Sequence, residues 1–478
     1  MALAVLAIPI NRLINLPCVL SMTCEAVDTH QIRSHRACPL PQPGADGGNG
    51  GDVPVTEVSA MRFWALFVYC LGSFFQNVVW IQFSTIVPQT VDFYAVSTDD
   101  VNFLVVLGGI FYVPCSFAVT PLIERYGVRA VTIGNNLLIL LAVGSRLLAS
   151  GPASYHWIVI GQSLNAAAGP AIGNIFTLLS AQWFPPHERT TASAVALGSQ
   201  GLGCGAGWLI GAWIVRESAD MPRLLWFEAA VGAVFFLVSL SFPNPPAAAP
   251  SLSAASAKTT FWAGNLALLK NRSFVLLAII YAVSMAIAVT WGTLIDEFLQ
   301  ESKTHQSAHF TISQVGAIGT TLNLAGMVGG TIFAQFVDRL GVPIKRLMVG
   351  LYLAQALAVV CFLVAVYLPQ TFGGTELHVP YWPVFAACIA QGVFGAGVGP
   401  LAYELGAEIA YPVGEETSAT FLAVLGNFFY IGSMQLIGDR VTAKVFNWVT
   451  IAVFAGSGLL LLAVRGKGGR SVVDAQEM

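Results

Sequence analysis

The stretch Glu124-Arg125-Tyr126-Gly127-Val128-Arg129 follows one apolar segment of this chain, and Asp338-Arg339-Leu340-Gly341 follows a second. Two further polar loops also match each other: residues 184–192 read FPPHERTTA and residues 411–419 read YPVGEETSA. Charged loops that recur between hydrophobic spans are typical of membrane proteins built from two related halves, as many transporters are. The duplication therefore predicts two halves of matching topology in a membrane.

The composition indicates that lipid is the solvent for most of the chain. Its 478 residues are 56% hydrophobic and 10% charged, with a mean hydropathy of +0.71, whereas soluble proteins are about a quarter charged. A helix needs roughly 20 apolar residues to cross a bilayer, and the long apolar runs do not alternate as β-barrel strands do. We predict twelve helical spans, near residues 63–86, 101–122, 128–149, 156–181, 190–215, 223–242, 273–296, 311–336, 344–368, 381–408, 417–438 and 445–464.

The predicted fold is an all-α membrane protein with twelve transmembrane helices in two six-helix halves. We expect a largely disordered cytoplasmic tail, an N-terminal half, a cytoplasmic linker, a C-terminal half and a second cytoplasmic tail, at residues 1–61, 62–242, 243–270, 271–464 and 465–478. Lys and Arg concentrate in the loops on the side that holds both ends, with Arg146 and Arg223 counted on the other side. Both termini are therefore predicted to be cytoplasmic.

Several classes of function are excluded or disfavoured. A net charge of −3 without a basic face argues against nucleic acid as a partner. The eight cysteines form no C-x-x-C pair and the chain has no G-x-S-x-G motif, so we expect no metal site, no cofactor and no enzyme activity. The expected partners are the lipid bilayer, a small organic solute and protons, and we expect a monomer.

Carboxylates inside spans are costly and are therefore functional candidates. Glu404 and Glu408 are four residues apart on the tenth span and share one helix face. Either could load and release a proton, because burial side by side favours protonation of one of them. The alternative for Glu408 is a gate with Arg339 or Arg346 that locks the two halves together.

Glu228 lies in the sixth span among apolar residues. It is a third candidate for proton coupling. The alternative is a structural role as the partner of Arg223 or of a donor on another helix.

A solute cavity is expected between the halves, because that is where carriers of this architecture bind. Tryptophans there could stack on a flat solute, or could serve in packing or at the membrane interface. Amides could contact the solute or tie one helix to another. The cavity candidates are Trp80, Gln82, Asn165, Asn174, Gln200, Trp291, Gln391 and Asn427.

The duplicated loops supply a predicted gate. Opposite charges at the ends of spans could break and remake contacts as the halves rock. The gate candidates are Glu124, Arg125, Arg129, Arg189, Asp338 and Arg339.

Residues 161–196, GQSLNAAAGPAIGNIFTLLSAQWFPPHERTTASAVA, carry a family resemblance. With the repeated Glu/Asp-Arg-x-Gly loops, they resemble the major facilitator superfamily. Within it they are similar to the feline leukaemia virus subgroup C receptor-related family, closest to the disrupted-in-renal-carcinoma branch. The resemblance runs from about Arg62 to Phe446.

This resemblance implies proton-linked transport of an organic solute, with pyridoxine in the closest branch and choline, ethanolamine or haem in the sister branches. It also implies a lysosomal membrane, with the plasma membrane as the alternative. Two positions depart from the family pattern. Residues 1–61 carry no visible acidic dileucine signal, and Gly169 stands where the choline-carrying branch has a glutamine. A receptor or sensor that keeps the fold without transporting is a further alternative.

Overall fold

A computed structural model describes residues 58–246, 249–256, 258–295, 298–299, 312–372, 381–437, 443–465 and 469–474. Of the first predicted tail, residues 1–57 lie outside this described part, so the expectation of disorder there is untested. Of the second tail, residues 466–468 and 475–478 also lie outside the described part, and residues 469–474 form a short helix.

The described chain is built from helices, which we number in chain order. They are α1 (Arg62–Ile81), α2 (Val87–Tyr94), α3 (Thr98–Arg146), α4 (Tyr155–Trp183), α5 (Arg189–Ile214), α6 (Met221–Ser239), α7 (Leu252–Ala255), α8 (Phe261–Lys270), α9 (Arg272–Thr293), α10 (Ile312–Leu340), α11 (Ile344–Phe372), α12 (Tyr381–Ala410), α13 (Glu415–Ile437), α14 (Ala443–Leu461) and α15 (Gly469–Asp474).

These helices overlap each of the twelve predicted spans. Eight helical segments of the described chain are long and apolar enough to cross a membrane by themselves. One of the eight, α3 with the short turn that follows it, contains two predicted spans. The all-α membrane fold is therefore confirmed, while the total of twelve crossings stays a prediction.

Each of the duplicated loops contains a glycine with a positive φ angle. Gly127 has φ 76° and ψ 168° inside the 49-residue α3, where two predicted spans meet. Gly341 follows α10 with φ 63°. A Cβ at either position would meet nothing within 4 Å, so conformation rather than crowding requires glycine there. Each half thus has a glycine with a positive φ angle in its copy of the repeated loop.

Close helix contact explains the glycine-rich sequence of α5. A Cβ at Gly203 would lie 2.2 Å from the carbonyl oxygen of Phe74 on α1. One turn further, a Cβ at Gly207 would lie 2.7 Å from the side chain of Ile81. Small residues let two membrane helices pack backbone to backbone. This packing fixes α5 against α1, the helix that carries the first cavity candidates.

Candidate functional site

Direct hydrogen bonds join the two halves where α5 begins and where α10 and α12 end. The backbone amide of Thr191 donates to the carboxylate of Asp338 over 2.6 Å. Amides in the first turn of a helix lack partners within the helix, and a negative charge there is favoured. The hydroxyl of Ser193 donates to Glu404 over 3.1 Å, and the Glu404 side chain is buried.

Three further contacts join the halves at the same end of the molecule. The hydroxyl oxygens of Thr120 and Thr420 lie 2.7 Å apart. Thr177 donates to the carbonyl of Glu415 over 3.3 Å. The ring of Phe176 meets the ring of Tyr403 edge to face at 4.8 Å.

We call this set of contacts the inner gate: Thr120–Thr420, Thr177–Glu415, Phe176–Tyr403, Thr191–Asp338 and Ser193–Glu404. It lies at the side that the charge pattern predicts to be cytoplasmic, and it is closed in this conformation. Asp338 is thus one predicted gate residue that contacts the opposite half directly.

Of the other loop residues predicted to form the gate, three contact their own loop or the linker. Glu124 is exposed and accepts a hydrogen bond from the backbone of Phe261. The guanidinium of Arg125 lies over the neighbouring Tyr126 ring, 5.5 Å from its centroid. Arg129 donates to Asn244 over 2.7 Å. Arg339 is exposed. Their roles in gating stay predictions.

The remaining gate candidate, Arg189, joins a cluster that the sequence did not suggest. Its buried guanidinium donates to Asp474 of α15 over 3.2 Å and to Ser253 of the linker over 3.3 Å. It also donates to Ser251 over 2.5 Å. Burial alone raises the pKa of Asp474, but the Ser253 hydrogen bonds and the charge of Arg189 outweigh it and hold this pKa below its ordinary value. Arg189 therefore fixes the second tail to the N-terminal half.

The same short helix reaches the carboxylates of α12. Arg470 donates to Glu404 over 3.2 Å, and both side chains are buried. The backbone amide of Ser471 donates to Glu408 over 3.1 Å, and its hydroxyl also donates to Glu408. Glu408 thus contacts the tail rather than Arg339 or Arg346, the partners that we had considered from the sequence.

Glu228 forms a buried ion pair within the N-terminal half. Its carboxylate lies 2.9 Å from Arg146, and the two side chains are 1% and 0% exposed. Arg146 also donates to the carbonyl of Val79 over 3.1 Å and to the amide oxygen of Gln162. Counting Arg146 among the outer-loop cations was therefore wrong, because a partner on another helix stabilises its charge in the interior.

This ion pair supports the point where the first span changes conformation. Helix α1 ends at Ile81 and the chain continues as a 3-10 helix, Gln82–Thr85. The carbonyl of Val79 accepts from Arg146, and that of Trp80 accepts from Gln162 over 3.0 Å. The network holds the segment that presents Trp80. The sequence signal that could have revealed it is an arginine and a glutamate near the ends of different spans.

Aromatic rings gather where the halves meet, on the membrane side of the inner gate. Tyr281 of α9 meets Tyr403 of α12 with ring centroids 5.5 Å apart. Tyr112 of α3 lies beside α4, where a Cβ at Gly173 would come within 2.1 Å of its hydroxyl. Tyr403 also meets Phe176 of α4 edge to face, with ring centroids 4.8 Å apart. Both halves therefore contribute to one aromatic layer.

Amides lie beside this layer in the N-terminal half. Asn165 and Gln76 exchange hydrogen bonds of 3.2 Å, each side chain donating to the other's backbone carbonyl. The amide of Asn174 donates to Thr120 over 3.5 Å. Within the described residues, several buried polar atoms have no hydrogen-bond partner: Trp80 Nε1, Asn165 Oδ1, Asn174 Oδ1 and Gln200 Nε2. Such atoms have hydrogen-bonding capacity that no protein group uses.

Four predicted cavity residues lie apart from this layer. Trp291 is fully buried in the C-terminal half, donates to Asn447 over 2.7 Å and packs on Phe362. Gln391 lies near Gln355. A Cβ at Gly395 would lie 3.0 Å from the amide oxygen of Gln391 and 3.5 Å from that of Gln355. The others are Gln82, buried beside α5, and Asn427, which donates to a carbonyl one turn back on its own helix.

The contacts of Trp291 correspond to the packing alternative that the sequence left open, so we leave it out of the solute site. For metals, the described residues contain no group of three His, Cys, Asp or Glu side chains that could hold an ion.

Comparisons with known proteins agree with this geometry. The family described as Major Facilitator Superfamily matches residues 63–435. A relative from Xenopus tropicalis, Solute carrier family 49 member 4 homolog, is 28% identical over 395 residues, covering 78% of this chain and 84% of the relative. The Homo sapiens protein Choline/ethanolamine transporter FLVCR2 is 28% identical over 432 residues, covering 86% and 78%.

The fold has solved counterparts. The proton:xylose symporter XylE, bound to 6-bromo-6-deoxy-D-glucose, has a TM-score of 0.66 at 14% identity, covering 88% of this chain and 99% of that one. This chain belongs to the major facilitator superfamily. Its relatives confirm the resemblance to the feline leukaemia virus subgroup C receptor-related family. It is a multi-pass membrane transporter and not an enzyme.

Proposed function

We propose that this chain is a secondary carrier that moves a small organic solute of the pyridoxine class together with protons. It acts as a monomer, with both termini on the cytoplasmic side and, by resemblance to the disrupted-in-renal-carcinoma branch, in the lysosomal membrane. The observation that carries the proposal is the aromatic layer between the halves, flanked by unpartnered amide atoms and closed on one side by the inner gate.

The chemistry of the layer suits a flat ring with hydroxyl substituents. Phe176, Tyr281 and Tyr403 supply aromatic faces, which bind other rings in stacked or edge-to-face arrangements. Trp80, a cavity candidate from the sequence, is a further aromatic group that we assign to the site. The free oxygens of Asn165 and Asn174 accept hydrogen bonds from hydroxyl groups. A mostly apolar pocket with a few polar groups of this kind is typical of small-molecule sites.

Glu404 is the residue that we assign to proton coupling. Its two carboxylate oxygens accept from Ser193 of the N-terminal half and from Arg470 of the tail. A charged carboxylate strengthens both hydrogen bonds, so protonation weakens the inner gate and favours opening toward that side. Glu408 and Glu228 are the other two proton-coupling residues that we consider. Both accept hydrogen bonds that protonation of the carboxylate would weaken.

Choline or ethanolamine is the second candidate solute. The observation that favours it is the same set of aromatic rings. Cationic amines bind over aromatic faces with or without a carboxylate nearby. Phe176, Tyr281 and Tyr403 lie together where the halves meet. The relative FLVCR2 is named as a choline/ethanolamine transporter.

Binding to the purified protein separates these proposals. Pyridoxine should raise the melting temperature of the wild-type protein, and Trp80→Ala should weaken its affinity about two- to tenfold, as expected for loss of one aromatic pair. Trp213→Ala is a matched control, because that tryptophan is 70% exposed. Stabilisation by choline alone would replace the pyridoxine proposal. Stabilisation by neither, with no flux of either into vesicles, would favour a receptor that does not transport.

A further inference from the structure

Helix α15 is positioned unlike an ordinary tail after the last span. It follows α14, which ends at Leu461, and it consists of six residues, Gly469–Asp474. Arg470 and Asp474 are four residues apart, so they share one face of this helix. Both are buried, whereas Ser471 and Val472 are exposed. The buried face carries one positive and one negative charge.

The surface beneath α15 carries the complementary charges. Arg470 donates to Glu404 over 3.2 Å, and its Nε lies 4.0 Å from a Glu415 oxygen. At the other end of the helix, Asp474 accepts from Arg189 over 3.2 Å and from the backbone of Ser253 over 2.9 Å. Each charge of the helix therefore meets an opposite charge on the transporter.

These contacts cross the boundary between the halves. Arg189 begins α5 of the N-terminal half, whereas Glu404 belongs to α12 of the C-terminal half. The same Glu404 carboxylate accepts from Ser193 across the inner gate. When the halves part on this side, Arg189 and Glu404 move apart, and a six-residue helix cannot keep both contacts. Docking of α15 and opening of the inner gate therefore exclude each other.

We propose that α15 is a removable latch, a short peptide that binds across both halves and holds the inner gate closed until it leaves. Its docking surface consists of Arg189, Ser253, Glu404, Glu408 and Glu415, and the peptide that fits it has the pattern Arg-Ser-x-x-Asp. Without the latch, Arg189 and Glu404 lose their partners of opposite charge, which disfavours the closed state. The inference does not depend on which solute is carried.

The test measures access to a buried residue within the inner gate in the full-length, detergent-solubilised protein. Ser180 is 1% exposed and accepts a hydrogen bond from Ser193. A Ser180→Cys reporter is treated with a hydrophilic maleimide, and its labelling rate is corrected for the native cysteines with the parent protein. Because the protein is in solution, the result does not depend on its orientation in a membrane or on the solute.

Three latch variants are compared with a matched control. Ending the chain at Val464, or combining Arg470→Ala with Asp474→Ala, should speed labelling at least about tenfold, since each removes charged contacts to buried partners. Val472→Ala changes a residue that is 60% exposed on the same helix and should leave the rate unchanged. Ser471→Glu places a negative charge against Glu408 and should also speed labelling.

Rescue separates loss of the latch from general damage. A synthetic peptide of sequence GRSVVD at millimolar concentration should slow labelling of the truncated protein, because a tethered segment acts at about that effective concentration. A peptide with its Arg and Asp replaced by Ala should not. Unchanged labelling after truncation and in the double variant would overturn the proposal. So would faster labelling that the peptide fails to reverse.

Discussion

The buried ion pair between Arg146 and Glu228 allows a quantitative prediction about stability. The two groups lie 2.9 Å apart with 0% and 1% exposure. Removing one partner of such a pair leaves an unpaired charge in the interior and costs about 3–5 kcal/mol. Arg146→Met should reach that range, because it also removes the donor to the Val79 carbonyl. Glu228→Gln should cost about 3 kcal/mol, the low end of that range, because the amide oxygen still accepts the hydrogen bond while the charge of Arg146 loses its counter-charge.

The double variant makes the prediction specific. Arg146→Met combined with Glu228→Met removes both charges, so it should cost less than Arg146→Met alone. Melting temperatures of the detergent-solubilised variants measure this, with Arg223→Met as the control. Arg223 pairs with Asp220 at 2.6 Å but is 78% exposed, so its loss should cost at most about 1 kcal/mol. A wild-type melting temperature for Arg146→Met, or strictly additive costs in the double variant, would refute the reasoning.

Three further predictions concern the cavity, the core and the latch. Gly173→Ala should displace the Tyr112 hydroxyl and weaken pyridoxine binding. Gly134→Ala is the control, because a Cβ there meets nothing within 4 Å and should leave the affinity unchanged. Equal affinities of the two variants would contradict the cavity assignment. Trp291→Phe should lower stability by about 1 kcal/mol through its lost hydrogen bond and leave pyridoxine affinity unchanged, and a large affinity loss would restore its stacking role. The pKa of Asp474 is depressed because hydrogen bonds and a nearby arginine outweigh its burial, so its contacts are complete above the ordinary 3.8 and weaken only as pH falls through the lower folded pKa. The factor by which Asp474→Asn speeds labelling, measured against the parent protein at each pH so that thiol ionisation cancels, should therefore be equal at pH 5.5 and pH 7.5. A factor that differs between the two pH values would contradict this.

The sequence predicted the architecture because the membrane constrains it strongly. Long apolar runs must become helices, since no water is present to pair their backbone groups. The repeated Glu/Asp-Arg-x-Gly loops marked the two-fold repeat, and the positive φ angles of Gly127 and Gly341 give the physical reason for that pattern. Asp338 was identified as a gate residue because it ends a span at one of these loops, and it does contact the other half.

The site was harder to predict because sequence spacing does not say which helices meet. Arg146 was assigned to a loop, since the charge rule cannot see a buried glutamate on another helix. Trp291 looked like a stacking residue, but its partner Asn447 lies 156 residues further along the chain. The latch was missed because Arg470 and Asp474 look like ordinary tail charges until their partners are known.

Uptake of radiolabelled pyridoxine at pH 5.5 and pH 7.5, into cells that carry the protein at the plasma membrane, tests the central claim most directly. The wild-type protein is compared with Glu404→Gln and with Glu217→Gln, an exposed-loop control. The account predicts faster uptake at pH 5.5 for the wild type and the control, and no pH dependence for Glu404→Gln at equal surface expression. Pyridoxine uptake that is absent, or that keeps its pH dependence in Glu404→Gln, would contradict it.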